Sequence, residues 1–400
     1  MSLNNKLLVF FLLSSLMISA QQYENSLATQ KNKKWYDKIS FSGYMQVRYN
    51  KLLETNASLK CEQCDETWGG EGGGLSLRRL RFKFYGQISP RMYIYIQPDF
   101  AKSVGESIHV ARIKDAYFDL GLDKDNEYRI RIGQSKVPFG YENMQSSSKR
   151  LPLDRNDAMN SGVKDERDLG VFFYWASKEK RHLMKDLKNA GLKHSGDFGI
   201  FALGLYNGQT ANHPDQNNQF HVVSRFSYPI KVGNQIIEPG IQVYSGKFVL
   251  LESSPETKTT FDKEYIDQRV ALSFVLYPQP FGIQAEYNMG RGPEFNKYFD
   301  SVEVKSLQGG YVIFSYMIKK WDQTIIPFTR IQYYDGGKKQ ELDARSYTVK
   351  ELELGVEWQP YKEFELVVMY TMSSRRFEDF ENPYNIQTGN LIRLQTQLNF

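Results

Sequence analysis

The chain has 400 residues, a formal net charge of +5 and a mean hydropathy of −0.53. Beyond residue 20 it holds no run of about 18 apolar residues, so no helix crosses a bilayer, and two cysteines are too few to staple a secreted fold. Tyr and Phe nevertheless occur 26 times each in a chain that is polar on average. That pairing is odd for a soluble protein with a thick core and suits a wall with lipid outside and water inside.

The first twenty residues have the form of a secretory signal: Lys6, the apolar run LLVFFLLSSLMI, then Ser19 and Ala20 as a small-residue exit. A short N-terminal periplasmic segment, 21–38, is expected next. Residues 39–400 then form a single domain without a Pro- or Ser-rich linker.

From Ile39 to Asn50, Phe41, Gly43, Met45, Val47 and Tyr49 alternate with Ser42, Tyr44, Gln46, Arg48 and Asn50, the period of a half-buried strand. Leu75 to Ile88 sets Leu80, Phe82, Phe84 and Ile88 against Arg79, Arg81, Lys83, Tyr85 and Gln87, and turns at Ser89-Pro90-Arg91. Met92 to Phe100 returns with Ile94 and Ile96 opposed to Tyr93, Tyr95, Gln97 and Asp99. In Val110 to Leu120 the parity is imperfect, because Arg112 and Lys114 share the side of Ala116, Phe118 and Leu120. Both are expected to snorkel near a membrane surface. Tyr128 to Val137 puts Tyr128, Ile130 and Ile132 on one face and Arg129, Arg131 and Gly133 on the other.

The polar segment that follows, 137 to 168, has no strand pattern, and a connection of that length is either disordered or functional. Further strands are expected at Leu169–Ser177, Phe198–Asn207, Phe220–Tyr228, Ile236–Phe248, Ile266–Tyr277, Phe281–Met289, Lys305–Ile318, Thr324–Tyr334, Thr348–Gln359, Phe364–Thr371 and Asn390–Phe400. Tight turns at Ser89, Asp123, Pro278–Pro280, Lys319–Asp322 and Tyr361–Lys362 alternate with long loops at 51–74, 137–168, 208–219, 249–265, 290–304, 335–347 and 372–389. Short turns on one rim and long loops on the other predict an all-β fold, a transmembrane antiparallel β-barrel of about 16 strands. One connection disobeys: 178 to 197 belongs on the short-turn rim but is long, basic and partly helical in pattern. It is expected to be a solvated charged extension, with a strand hairpin reaching into the periplasm or a misplaced strand pair as the alternatives.

GQSKVPFGYE after the Arg-rich strand, ERDLGVFFYW some 25 residues later, and LYNG at Leu205 to Gly208 resemble the phosphate-selective porin O and P family of bacterial outer membranes. The resemblance implies a homotrimer of 16-stranded barrels whose long third extracellular loop is folded into the pore, with basic side chains guiding anions. A last strand ending in Phe400 resembles the signal by which the barrel-assembly machinery recognises its clients.

The residues bear on chemistry independently. Arg48, Arg79, Arg81, Lys83, Arg129 and Arg131 fall on the inward parity of the early strands with few acids opposed, giving a basic pore lining. Guanidinium groups fork onto phosphate or carboxylate oxygens, which suits oxyanions. Constriction candidates in and beside the long segment are Lys136, Lys149, Arg150, Arg155, Lys164 and Arg167. Glu142, Asp154, Asp157, Asp165, Glu166 and Asp168 keep that segment from being net basic. Late strands add Glu351, Glu353, Glu357, Glu363 and Glu365 to the inward face, so a basic wall is expected to face acids.

Cys61 and Cys64 sit in the first long loop with no His nearby, which favours a local disulfide over a metal site in an oxidising compartment. No cofactor, metal or nucleic acid is expected, and the partners are outer-membrane lipid and small anionic solutes. The function expected is passive diffusion of small solutes, anion-preferring toward phosphate or other oxyanions. A general, weakly selective porin is the alternative, and an outer-membrane hydrolase or receptor stands further behind, because no spacing supports a nucleophile site.

Overall fold

The structure, a computed structural model, describes residues 34–53, 73–104 and 107–400. The signal segment, residues 21–33 and both cysteines lie outside the described residues.

Strands that face lipid on one side must pair every backbone edge, and closure achieves that. The ladder segments are β1 (Ser40–Leu52), β2 (Gly73–Ser89), β3 (Met92–Val104), β4 (Ser107–Gly121), β5 (Tyr128–Lys136), β6 (Arg167–Trp175), β7 (Phe201–Tyr206), β8 (His221–Ser227) and β9 (Ile230–Val232). They continue with β10 (Gln235–Val249), β11 (Glu264–Leu276), β12 (Phe281–Asn296), β13 (Ser301–Tyr316), β14 (Ile318–Lys320), β15 (Gln323–Gly337), β16 (Ser346–Tyr361), β17 (Phe364–Glu378) and β18 (Ile386–Asn399). All pairings between these strands are antiparallel, and β1 closes on β18 from Tyr44 opposite Asn399 to Leu52 opposite Leu391. β9 and β14 are short continuations beside β10 and β15, so the wall is a closed 16-strand barrel.

Alternation decides the two faces. Phe41, Phe84, Ile96, Phe118, Ile132, Val270, Phe314 and Leu354 are exposed on the outside, whereas Arg48, Asp99, Arg131, Gln242, Glu286, Arg330 and Arg393 are buried inside. At the closure, Phe400 exchanges backbone hydrogen bonds with Gly43 and packs its ring near Phe41 and Phe82, 6.2 and 5.9 Å between centroids. Aromatic side chains thus cover the seam where the ends of the chain meet.

Several boundaries differ from the sequence expectation. β12 and β13 stay paired out to Asn296 opposite Ser301, so 290–304 is a tight hairpin and not a long loop. β17 and β18 lengthen likewise and leave only 379–385 between them. The register of β3 on β4 slips between Gln97 opposite Asp115 and Pro98 opposite Ile113, a bulge at Lys114. The bulge turns Lys114 inward to pair with Asp165 at 2.7 Å and leaves only Arg112 outside, correcting the expectation that both snorkel. Glu363 is exposed in the β16–β17 turn and does not join the inward acids.

The disobedient connection is not a strand hairpin but a helix whose charged face, with Lys178, Glu179, Lys185, Asp186 and Lys188, is exposed as expected, followed by a buried tail. Ser177 caps a helix, Lys178–Asn189, by accepting the Lys180 N–H. Met184 and Leu187 are buried, and the tail Leu192, Lys193, His194 and Ser195 is buried as well. The tail can be buried because Lys193 and His194 face the barrel-wall carboxylates of Glu357 and Glu238.

Candidate functional site

Residues 137–166 take hydrogen bonds from, or give them to, inward side chains on many strands. Glu286 of β12 accepts the N–H groups of Tyr141 and Glu142, and Asn288 of β12 donates to Ala158 O at 2.8 Å. Gln46 of β1 donates to Ser147 O at 3.1 Å, and Arg269 of β11 donates to the Ser161 hydroxyl at 2.6 Å. Gln332 of β15 accepts the Asp157 N–H, and Gln397 of β18 donates to Ser148 O.

The acids of this segment, which the charge count opposed to the basic wall, are held by arginines and lysines. Asp154 meets Arg48 at 2.9 Å, Arg78 at 3.4 Å and Arg393. Burial alone would raise its carboxyl, but Arg48, Arg393 and Arg78 hold it well below the usual carboxylate range. Asp157 sits between Lys338 at 2.7 Å and Arg375 at 3.1 Å, and Glu142 lies 3.3 Å from Arg330. Arg269, Arg330, Arg375 and Arg393 were missed as candidates. Strand parity was the available signal, since Arg393 alternates with Leu394, but nothing local told which arginines would meet the loop.

The motif residues turn out to be clamps. Lys136 gives its ammonium protons to Asn143 O, Met144 O and Gln145 O at 2.8, 2.9 and 2.5 Å, so it folds the segment back and is not free for solute. In ERDLG, Asp168 accepts the N–H groups of Gly208 and Thr210 at 2.8 and 3.0 Å, tying that motif to LYNG. Gly208 has φ +90 and a Cβ there would meet the His221 ring at 2.2 Å, which requires glycine.

Among the remaining candidates, Arg81 pairs with Asp99 at 2.7 Å, Arg129 with Asp197 at 2.7 Å, Arg131 with Asp119 at 2.7 Å and Arg167 with Asp115 at 3.0 Å. Arg155 pairs with Glu166 and donates to Gln145 O. The early strands therefore do carry opposing acids, at Asp99, Asp115 and Asp119, correcting the expectation of few. Lys164 is half-buried and has no ion pair among the described residues.

Two arginines differ. Arg79 donates to Gln46 Oε1 at 2.7 Å and meets no carboxylate among the described residues. The Arg150 guanidinium is buried, and none of its three nitrogens has a hydrogen-bond partner among the described residues. Burial, then repulsion from Arg155, pushes Arg150 down to about 9. Arg150 is also among the charges acting on Arg79, so the two lie in one field.

On the other rim the connection after the helix reaches across. Lys193 pairs with Glu357 at 2.5 Å, with Glu365 at 3.9 Å, and its carbonyl accepts from Gln145 of the long segment. His194 Nε2 lies 3.6 Å from Glu238. Sequence reading missed Lys193 because its partners lie far away in the chain.

A closed barrel with an apolar outside, a polar, arginine-rich inside and one connection hydrogen-bonded to many strands defines an outer-membrane porin. A family model for phosphate-selective porin O and P matches residues 62–248 and 252–400, and the chain belongs to that family. Solved structures agree in fold. The outer membrane channel DcaP of Acinetobacter baumannii is 15% identical at a TM-score of 0.58, covering 90% of this chain and 97% of that one. OmpF of Salmonella typhi is 12% identical at 0.56, covering 92% and 99%. The anion-selective porin from Comamonas acidovorans is 9% identical at 0.53, covering 90% and 99%. No curated protein matches the chain in sequence. The protein is thus a channel protein of the bacterial outer membrane, with the family and fold of non-enzymatic channels.

Proposed function

We propose that the protein is an anion-preferring diffusion channel whose segment 137–166 narrows the lumen, with phosphate or a related oxyanion as the preferred solute class. One observation carries this reading. Arg79 and Arg150 lack carboxylate partners, while the loop acids around them are matched by arginines and lysines. A buried guanidinium without an acceptor favours an oxyanion that can fork onto it. Arg48, Arg81, Arg129 and Arg131 then line the lumen as paired charges that set its shape. Lys149 joins the free cations, and Lys136, Arg155 and Arg167 position the loop. A homotrimer in outer-membrane lipid, each barrel recognised by the barrel-assembly machinery through the strand ending at Phe400, completes the reading.

Reversal potentials in planar bilayers under a KCl gradient test it. Anion preference is expected for the wild type, and the double variant Arg79→Ala, Arg150→Ala should shift it toward cations, while Arg81→Ala shifts it less. An unchanged preference in the double variant would favour the general porin. Size-exclusion chromatography with light scattering checks the trimer.

A further inference from the structure

The helix that replaces a turn has a second consequence. Met184 and Leu187 anchor one side, so Lys178, Arg181, Lys185 and Lys188, spaced three, four and three residues apart, form one stripe on another. That stripe borders a cavity of about 930 Å³ which reaches the turn residues Arg91 and Asp125.

Across the cavity stands a row of tyrosines made by strand register. Tyr85 lies opposite Tyr95 on β3, and Tyr95 opposite Tyr117 on β4. Their ring centroids are 6.1 and 5.2 Å apart, and the second pair is 13° from parallel. Arg131 caps the row 3.8 Å from the Tyr117 centroid. Beside it Gly133 faces Tyr117 with φ +126, where a Cβ would meet Ala116 O at 2.3 Å. Because Tyr95 and Tyr117 stack on each other, the row turns its electropositive ring edges and phenol groups to the cavity.

The two walls leave charge over. Lys83, Lys149, Lys185 and Lys188 all line the cavity, and none makes an ion pair among the described residues. An inorganic anion would use these lysines and leave the tyrosine row without a partner. A neutral ring would do the reverse and leave the lysines unmatched.

We propose that this cavity is a binding station for aromatic oxyanions, flat rings bearing a phosphate or a carboxylate, with the lysines holding the anionic head and the tyrosine row the ring. The inference rests on the channel reading above and deepens its solute class. An edge-to-face contact of a ring with the row favours aryl over inorganic anions by about tenfold.

Block of single-channel current tests it, with phenyl phosphate, benzoate, inorganic phosphate and phenol as probes. Phenyl phosphate is expected to block at a concentration about tenfold below inorganic phosphate, and phenol not to block. Benzoate matching phenyl phosphate supports the carboxylate form, and phenyl phosphate acting alone supports the phosphate form. The variant Tyr95→Leu, Tyr117→Leu should lose the aryl preference and keep the block by inorganic phosphate. Lys185→Gln with Lys188→Gln, on the exposed helix face, should weaken both blocks even if the tyrosine variant fails to fold. Equal block by phenyl phosphate and phosphate in an open channel, block by phenol, or a preference surviving loss of the tyrosines overturns the inference alone. Absence of any conductance overturns the channel reading with it.

Discussion

Around Asp154, Arg48, Arg78 and Arg393 converge on one loop carboxylate, and nearby Asp157 and Glu142 are matched in the same way. At the other mouth, Lys83, Lys149, Lys185 and Lys188 border a water-accessible cavity with no such match. The first zone uses charge to hold backbone in place, which works because buried ions are costly unless paired. The second keeps charge available, which is tolerable because the side chains are half-buried or exposed. The same residue types thus do architecture in one zone and recognition in the other.

Asp154→Asn should break the contrast most strongly. It removes the carboxylate that Arg48, Arg78 and Arg393 share, at a cost to the docked loop of about 3–5 kcal/mol. Limited proteolysis in 137–166 and larger, noisier conductance are the expected readouts, with the anion block at the lysine cavity retained.

Acid should reach the same interaction more gently. Asp154 has a depressed folded value, so its contribution is present above the unfolded carboxylate value of about 3.9 and is lost as pH falls below it. The part of thermal stability that this carboxylate supplies is expected to be constant above about pH 4 and to fall below that. In Asp154→Asn the acid-dependent part of the fall should shrink.

Lys193→Gln sharpens the comparison from the other side. It removes the cation that joins the post-helix segment to Glu357 and Glu365, a charged interaction of about 1.5–3 kcal/mol. Hydrogen exchange should rise in 190–199 while the Asp154 zone stays protected. Smallest of all is Lys178→Ala, which deletes an exposed pair with Asp125. Its effect on melting temperature should reflect roughly 0–1 kcal/mol and be close to undetectable.

Strand alternation made most of the wall legible, including the inward placement of Arg48, Arg79, Arg81, Arg129 and Arg131. The reading failed where parity breaks without a local marker, at the Lys114 bulge, and where hairpins ran longer than their apolar pattern, at 290–304 and 372–389. The candidate site was half legible. Lys136 and Arg150 look alike as basic residues flanking a loop, yet one is satisfied by three carbonyls and the other by nothing among the described residues.

The sequence by itself determined the period-two strands, the alternation of turns and loops, the motifs and the basic, partly helical pattern of 178–197, because each depends on residues close together in the chain. Which charges cancel was decided only by the tertiary structure. Asp154 and Arg393 are 239 residues apart, and Lys193 and Glu357 are 164 apart. Closing the barrel brings such pairs within hydrogen-bond reach. That step turns a count of acids and bases into a paired girdle above and an open cationic cavity below.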